Sequence, residues 1–583
     1  LNDHKVKGEV QPMKSILSIS TARPRKPVHG TIRRPRRFHP HAPSIISLEE
    51  RVVMATSASY FMPSPEISGT YLPVGTVDRA RISFINTDDT GWVVDYSSFT
   101  PSDITITRNG GSAIDLSNGT PGQYKIGIVG SQTNQNTYYV VGLPRVALST
   151  GDYTLTVSGT VNFLDENGSV VSANQSVTGS LAWKQRSGTV AAWGGTTSGV
   201  TSVPVGLTNV VDVAAGGSFS LALKADGTVS AWGSGAGATA LPVSLTNVVA
   251  IAAGDNHALA LKQDGSIVSW GTNNNSVVSN SPITGNYYSI GAGVNVSFAI
   301  GTYTGLTPSN IYGTDGTLTT WGQYTSFGED LFVEDTPVQG LIQASAGNNF
   351  IVGVLADSTF YGSPGIDGLP TTGKPADETL QSGSFIQAIA GVNPTSTTSK
   401  FVFLLNTDNT VTGWGDNCTS GQLTGVTSPT NYAALLGTAS VGAVRSSRLE
   451  AGSLDTVSLS SASNSIQAWG YNGNPADNRV SGGSAYISTV IPSPSVGSVS
   501  AGTIQTLAQV MDLTAPTIST FVAVTTSPTS IMPLTYRLTF SKPITNTLVE
   551  ADFLAVNGSG TTQNQTYFNV TDVIPVSTTI FDV

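Results

Sequence analysis

Between Gly188 and Met511 the chain repeats itself, and this constrains its fold more than any other feature. Leu207-Thr208-Asn209-Val210-Val211 returns as Leu245-Thr246-Asn247-Val248-Val249, an offset of 38 residues. The same offset relates Ala215-Gly216 to Ala253-Gly254, Asp226-Gly227 to Asp264-Gly265 and Trp232-Gly233 to Trp270-Gly271. An aromatic-Gly mark recurs once per unit, at Gly194, Gly233, Gly271, Gly322, Gly362, Gly415 and Gly470, with Tyr361 replacing Trp once. An Ala-Gly mark likewise recurs once per unit, at Gly216, Gly254, Gly293, Gly347, Gly391, Gly452 and Gly502. Two independent marks agree on seven units.

Each unit has the period of a strand. In Phe219-Ser220-Leu221-Ala222-Leu223 the bulky residues alternate with small ones, and Thr228-Val229-Ser230-Ala231-Trp232 returns as a partner strand. Asp226-Gly227 between them is expected to supply the positive-φ residues of a tight hairpin turn. Small residues on one face suit sheets stacked radially, as in the blades of a β-propeller. The Ala-Gly pairs are expected where blades crowd the axis, and the Trp side chains as wedges between blades. The region opens on a lone aromatic-Gly strand, Gly188 to Gly194, and closes on a lone Ala-Gly segment, Val499 to Val510. The first strand is therefore expected to join the last blade and shut the ring.

These residues resemble the regulator of chromosome condensation repeat family over about 320 residues, strongly in the first three units and more loosely after Gly293. There the spacing of aromatic-Gly pairs rises to 51, 40, 53 and 55. The resemblance implies a seven-bladed propeller. The family includes a nuclear exchange factor for the small GTPase Ran, bacterial secreted or surface proteins, and a secreted β-lactamase inhibitor. The unbroken Ala-Trp-Gly triplets look closer to the bacterial members. The fold carries over; the partner does not, because function resides in the loops.

The flanks are also β-rich. Residues 66–186 alternate in short runs, such as Tyr138-Tyr139-Val140-Val141, broken by turns such as Asn118-Gly119 and Asn167-Gly168, which suggests a β-sandwich. Gly151-Asp152-Tyr153-Thr154-Leu155-Thr156-Val157 resembles a strand of bacterial immunoglobulin-like modules. So does the later succession Phe540-Ser541-Lys542-Pro543-Ile544 and Asp552-Phe553-Leu554-Ala555-Val556-Asn557-Gly558. The expected division is 1–65 a disordered basic arm with a possible sorting element, 66–186 an immunoglobulin-like sandwich, 187–511 the propeller, and 512–583 a second immunoglobulin-like domain, truncated at Val583. The fold class is all-β.

Charge narrows the partners. Residues 1–52 hold 11 Lys+Arg against 4 Asp+Glu, while the other 531 residues hold 16 against 33. A body with a net charge of −17 repels phosphate backbones, leaving only the arm, with Arg33-Arg34-Pro35-Arg36-Arg37, able to attract nucleic acid or a membrane surface. Leu48-Glu49-Glu50-Arg51-Val52-Val53-Met54-Ala55 resembles a short element near the start of large bacterial surface proteins; a strand or turn is the plainer reading. No run is apolar enough for a spanning helix.

Little points to chemistry. Cys418 is the lone cysteine and is read as idle, which excludes a disulfide framework. His257 is the one histidine of the folded body; Phe219, Val296 and Phe350 stand at the matching repeat positions, so it is read as a packing residue. Asp165-Glu166-Asn167-Gly168 could offer oxygens to calcium, with an acidic turn as the plainer alternative. No catalytic residue, metal site or cofactor is expected.

The leading reading is a non-enzymatic bacterial protein, extracellular or at the cell surface, presenting its propeller to a protein or surface glycan. The alternatives are a soluble regulator, either an enzyme inhibitor or a GTPase exchange factor, and a carboxylate-based hydrolase or lyase. The later units carry long insertions, Gly301 to Gly316, Gly322 to Gly340, Gly362 to Ser384 and Asp416 to Ala451. Tyr324, Phe327, Glu329, Asp330, Phe332 and Glu334 in the second of these form the candidate partner-binding loop, because aromatics ringed by charge compose binding hot spots.

Overall fold

A computed structural model describes Val52–Val53, most of 77–302, and beyond that 315–322, most of 338–362, and the strands of 380–392, 400–415, 446–470, 488–511, 518–540 and 574–582. Cys418, the Arg33–Arg37 run and the candidate loop residues Tyr324, Phe327, Glu329, Asp330, Phe332 and Glu334 lie outside the described residues.

The described repeat strands form seven antiparallel blades in six sheets, since blades 1 and 7 are joined through Gly188 and Val210. Blade 1 comprises Val210–Ala215, Phe219–Lys224 and Val229–Gly233; blade 2, Val248–Ala253, His257–Lys262 and Ile267–Gly271; blade 3, Asn286–Ala292, Val296–Thr302 and Thr317–Gly322. Blade 4 begins at Leu341, blade 5 at Phe385 and blade 6 at Ser446. Blade 7 joins Val496–Ala501 and Gln505–Met511 to Gly188–Gly194. The last pairing places Val190 opposite Gln509 and Trp193 opposite Thr506, as the lone half-repeats at the two ends imply. Blade 7 abuts both blade 6 and blade 1, so the ring closes.

Packing between blades explains the repeated residues. Trp232 is buried with Val190 and Leu507 of blade 7, Trp270 with Phe219 and Leu221 of blade 1, and Trp321 with Leu259 and Leu261 of blade 2. Each Trp thus wedges against the preceding blade. Trp232 Nε1 donates to the Val200 carbonyl at 2.7 Å and Trp321 Nε1 to that of Val277 at 2.8 Å, so these wedges bury no unpaired donor. The Ala-Gly glycines sit where neighbouring blades nearly touch: a Cβ on Gly293 would stand 1.9 Å from the Gly347 carbonyl oxygen. The hairpin expectation needs one correction. Gly227 alone takes positive φ, at 78°, whereas Asp226 acts through its side chain, accepting from Thr228 N at 3.0 Å and Thr228 Oγ1 at 2.6 Å. This is a turn that ends on a left-handed glycine, not one with two positive-φ residues.

Before the propeller, two sheets enclose one core. Arg79–Ser83, Thr137–Val141 and Gly127–Gly130 form the first; Val93–Val94, Ile104–Arg108, Gly151–Leu164 and Val170–Gln185 form the second. Phe84, Phe99 and Tyr138 meet edge to face inside, and Tyr153 stacks on Trp183 at 5.2 Å. Asp165 Oδ1 accepts from the amides of Asn167 and Ser169, which makes this acidic stretch the turn of the long hairpin. Within the Leu48–Ala55 element, Val52–Val53 form a short strand against Ile85–Asn86. Near the C-terminus, Ile518–Ala523, Tyr536–Phe540, Ile580–Asp582 and Ile574–Pro575 form one sheet in that order. No helix among the described residues is long and apolar enough to cross a membrane.

Candidate functional site

The sandwich is docked on one face of the propeller, and strand alternation explains how. Along Thr137–Val141, Tyr138 and Val140 point into the sandwich core. Tyr139 and Val141 point the other way and, with Val129, join the propeller residues Tyr288, Ile342, Phe350 and Val352 in a second core. This sheet is therefore buried on both faces.

Two arginines lock the contact. Arg145 is fully buried; its Nε donates to the Gln263 carbonyl at 3.0 Å, Nη1 to Asn286 Oδ1 at 2.6 Å, and Nη2 to Asn118 Oδ1 at 2.8 Å. Gln263 Nε2 returns a bond to the Arg145 carbonyl, and the guanidinium lies 5.8 Å from the Tyr288 ring centre. Burial pulls its pKa down to about 10, so it stays charged at neutral pH. Arg79 reaches the Ile342 and Ile386 carbonyls of blades 4 and 5 at 3.2 and 2.9 Å while paired with Asp78 at 2.9 Å. From the propeller side, half-buried Asp315 accepts from the Ile128 amide at 2.8 Å, Thr302 Oγ1 at 2.6 Å and Tyr288 OH at 3.1 Å. Burial raises its pKa, against the lowering pull of those donors. Thr302 and Asp315 are the stems of the Gly301–Gly316 insertion, so its base is committed to the sandwich.

Along the axis lies a cavity of about 290 Å³, lined by the innermost strands and closed on the docked side by Asp78, Val141, Gly142 and Pro144. Much of its polar lining is already engaged between blades. Gln343 bonds the amide and carbonyl of Ala388, Ser345 Oγ accepts from Ala390 N, and Ser500 Oγ accepts from Ala215 N. His257 is buried, with Nε2 2.7 Å from Ser297 Oγ, and burial lowers its pKa to about 4. It has the environment of a packing residue, not of a general base near neutral pH. Among the described residues, no group of three metal-ligating side chains converges.

Among the described residues, the opposite face is bound together largely by backbone. Gly217 N donates to the Asp255 carbonyl at 3.0 Å, Val294 N to that of Gly347 at 3.1 Å, and Asn295 N to that of Asn348 at 3.1 Å. Side-chain amides add Asn275 Nδ2 to Asn295 Oδ1 at 2.6 Å and Asn295 Nδ2 to Asn348 Oδ1 at 3.1 Å. The candidate loop departs from Gly322, at the opposite-face end of its strand, but its own six residues are not described. Sequence reasoning did not single out Arg79, Arg145, Asn286 or Asp315. One signal was available: Tyr138-Tyr139-Val140-Val141 is continuously apolar, as a strand covered on both faces is.

Residues 210–236 and 248–276 match the model of the regulator of chromosome condensation (RCC1) repeat. These two segments, in blades 1 and 2, are similar to RCC1 repeats. Solved structures similar to it include human WBSCR16, at 17% identity and TM-score 0.41, covering 56% of this chain and 100% of that one. Prp20p from Saccharomyces cerevisiae is similar at 14% identity and TM-score 0.39, covering 57% and 92%. The ectodomain of the Physcomitrella patens receptor kinase CR4 is similar at 19% identity and TM-score 0.36, covering 50% and 67%. No curated protein matches the sequence.

Proposed function

We propose that this RCC1-repeat chain is a non-enzymatic bacterial binding protein, secreted or held at the cell surface, that meets a protein or surface glycan with the open face of its propeller. The immunoglobulin-like flanks, 66–186 and 512–583, act as spacers in this reading, and the basic arm of residues 1–65 precedes them. The observation that carries it is the sealed face: Arg145, Arg79 and the apolar contact of Tyr139 and Val141 occupy one side of the ring, which leaves the other for a partner. The loop bearing Tyr324, Phe327, Glu329, Asp330, Phe332 and Glu334 supplies the anchoring contacts, since its stem at Gly322 ends on the open face.

The test uses the full chain on beads, presented to glycan arrays and to purified surface proteins. Replacing Tyr324 to Glu334 by a Gly-Ser turn should abolish binding and leave Tm unchanged, whereas Asp226→Arg, on the docked-side hairpin, should bind as the parent does. Binding that survives the trimmed loop, or that is lost only in Asp226→Arg, refutes the assignment of the face. Accelerated nucleotide release from a small GTPase would instead support the regulator reading.

A further inference from the structure

The closing blade departs from blades 1, 2 and 3 at two positions of its core. Register places Gln505 opposite Gly194, where blade 1 has Phe219 opposite Gly233 and blade 2 has His257 opposite Gly271. It also places Gln509 opposite Val190, where blades 1, 2 and 3 have Leu223, Leu261 and Ile300. Both glutamines are completely buried and face blade 1. Gln505 Nε2 donates to the Phe219 carbonyl at 2.8 Å and to that of Gly216 at 3.1 Å; Gln509 Nε2 donates to that of Val210 at 3.0 Å.

Their carbonyl oxygens are another matter. Gln505 Oε1 and Gln509 Oε1 have no hydrogen-bond partner among the described residues, and neither has Ser498 Oγ, which is also completely buried. Ser498 is the register partner of Gln509 on the neighbouring strand, so the two orphaned groups stand side by side against blade 1. Turning the Gln509 amide over does not help. It would set Oε1 against the Val210 carbonyl, acceptor against acceptor, and lose the one bond the side chain makes. Native interiors rarely tolerate such groups without a partner, and polar atoms too far apart to bond directly are commonly bridged by water.

We infer that the interface between blades 7 and 1 contains a water-binding site. In it an ordered water donates to Gln509 Oε1 and bonds the Ser498 hydroxyl. This site is polar because blade 7 is fastened to blade 1 by glutamines reading backbone carbonyls, where blade 1 presents Phe219 and Leu223 at the corresponding positions. A water needs two or more polar partners to remain in an interior, and this pair supplies them. The inference does not depend on the proposed binding function.

A high-resolution crystal structure of the full chain tests it. The expected result is an ordered water within about 3.2 Å of both Gln509 Oε1 and Ser498 Oγ. Direct bonding of those two atoms to each other, or an empty space between them, would overturn the inference. A second measurement addresses energetics. The double variant Ser498→Ala/Gln509→Leu should lose the water and keep Tm within about 2 °C of the parent or above it, while Leu261→Gln in blade 2 should lower Tm by more than that. A fall in Tm of the double variant as large as that of Leu261→Gln would also overturn it.

Discussion

On the docked face, blades 2 to 5 meet the sandwich through side chains distant in sequence: Arg145 on Gln263 and Asn286, Arg79 on Ile342 and Ile386, Asp315 on Ile128. On the opposite face, the described blades meet mainly through backbone amides, with only the short amides of Asn275, Asn295 and Asn348 added and glycine where a Cβ would collide. The contrast separates two kinds of constraint. Backbone contacts need only small residues and tolerate change in the loops that leave them. Side-chain contacts need particular residues, each of which can be removed singly. The docked face is therefore the one where point substitutions should be costly, and the opposite face the more tolerant one.

The sharpest way to break this contrast is Arg145→Ala. It leaves Asn286 Oδ1, Asn118 Oδ1 and the Gln263 carbonyl without their charged donor, and should cost about 3–5 kcal/mol in thermal or denaturant unfolding. Arg145→Lys should recover only part of that, because an ammonium cannot span three acceptors in one plane. A loss below about 1 kcal/mol would mean the docked face is held by apolar contact alone.

His257 tests the interior between the faces. Its folded pKa, about 4, lies below the unfolded value near 6.5, so the neutral form is favoured by folding. Its contribution is complete above pH 6.5 and is lost as pH falls from there through 4, by up to about 3 kcal/mol. His257→Phe copies Phe219 and Phe350 of other blades and should flatten the stability profile between pH 6.5 and 4. An unchanged acid slope would show that other groups set it.

Asp315→Asn should have the smallest effect. Burial makes the Asp315 charge a cost, so stability associated with this group is present below the unfolded carboxylate value and is lost as pH rises through the raised folded value. An asparagine keeps an acceptor for the Ile128 amide without that charge. Stability at neutral pH should move by about 1 kcal/mol or less, and upward. A larger loss would show that the ionised carboxylate is needed to hold the sandwich.

Much of the propeller was legible because its information is local and repeated. Two marks per unit counted the blades, and two unmatched half-repeats located the closure at Gly188–Gly194. The docking was not legible for the opposite reason. Arg145 lies in a short Leu-Pro-Arg turn, and its partners Gln263 and Asn286 are 118 and 141 residues away, so no periodicity links them. The glutamines of blade 7 show a third case. Gln505 follows Gly502 by three residues, as Phe219 follows Gly216, but that its amide reads the carbonyls of blade 1 is visible only in the fold. Of the candidate loop, only its stem at Gly322 could be related to the fold.

Hydroxyl-radical footprinting of the intact chain tests the sealed face most directly. Tyr139 and Tyr288 lie at the docked contact, Phe219 is a core reference, and Val205 and Val243 are fully exposed references. Labelling of Tyr139 and Tyr288 should be as slow as that of Phe219 and far slower than that of the two valines. Labelling of either tyrosine at a rate approaching that of Val205 or Val243, in a chain whose Phe219 stays protected, would contradict the account.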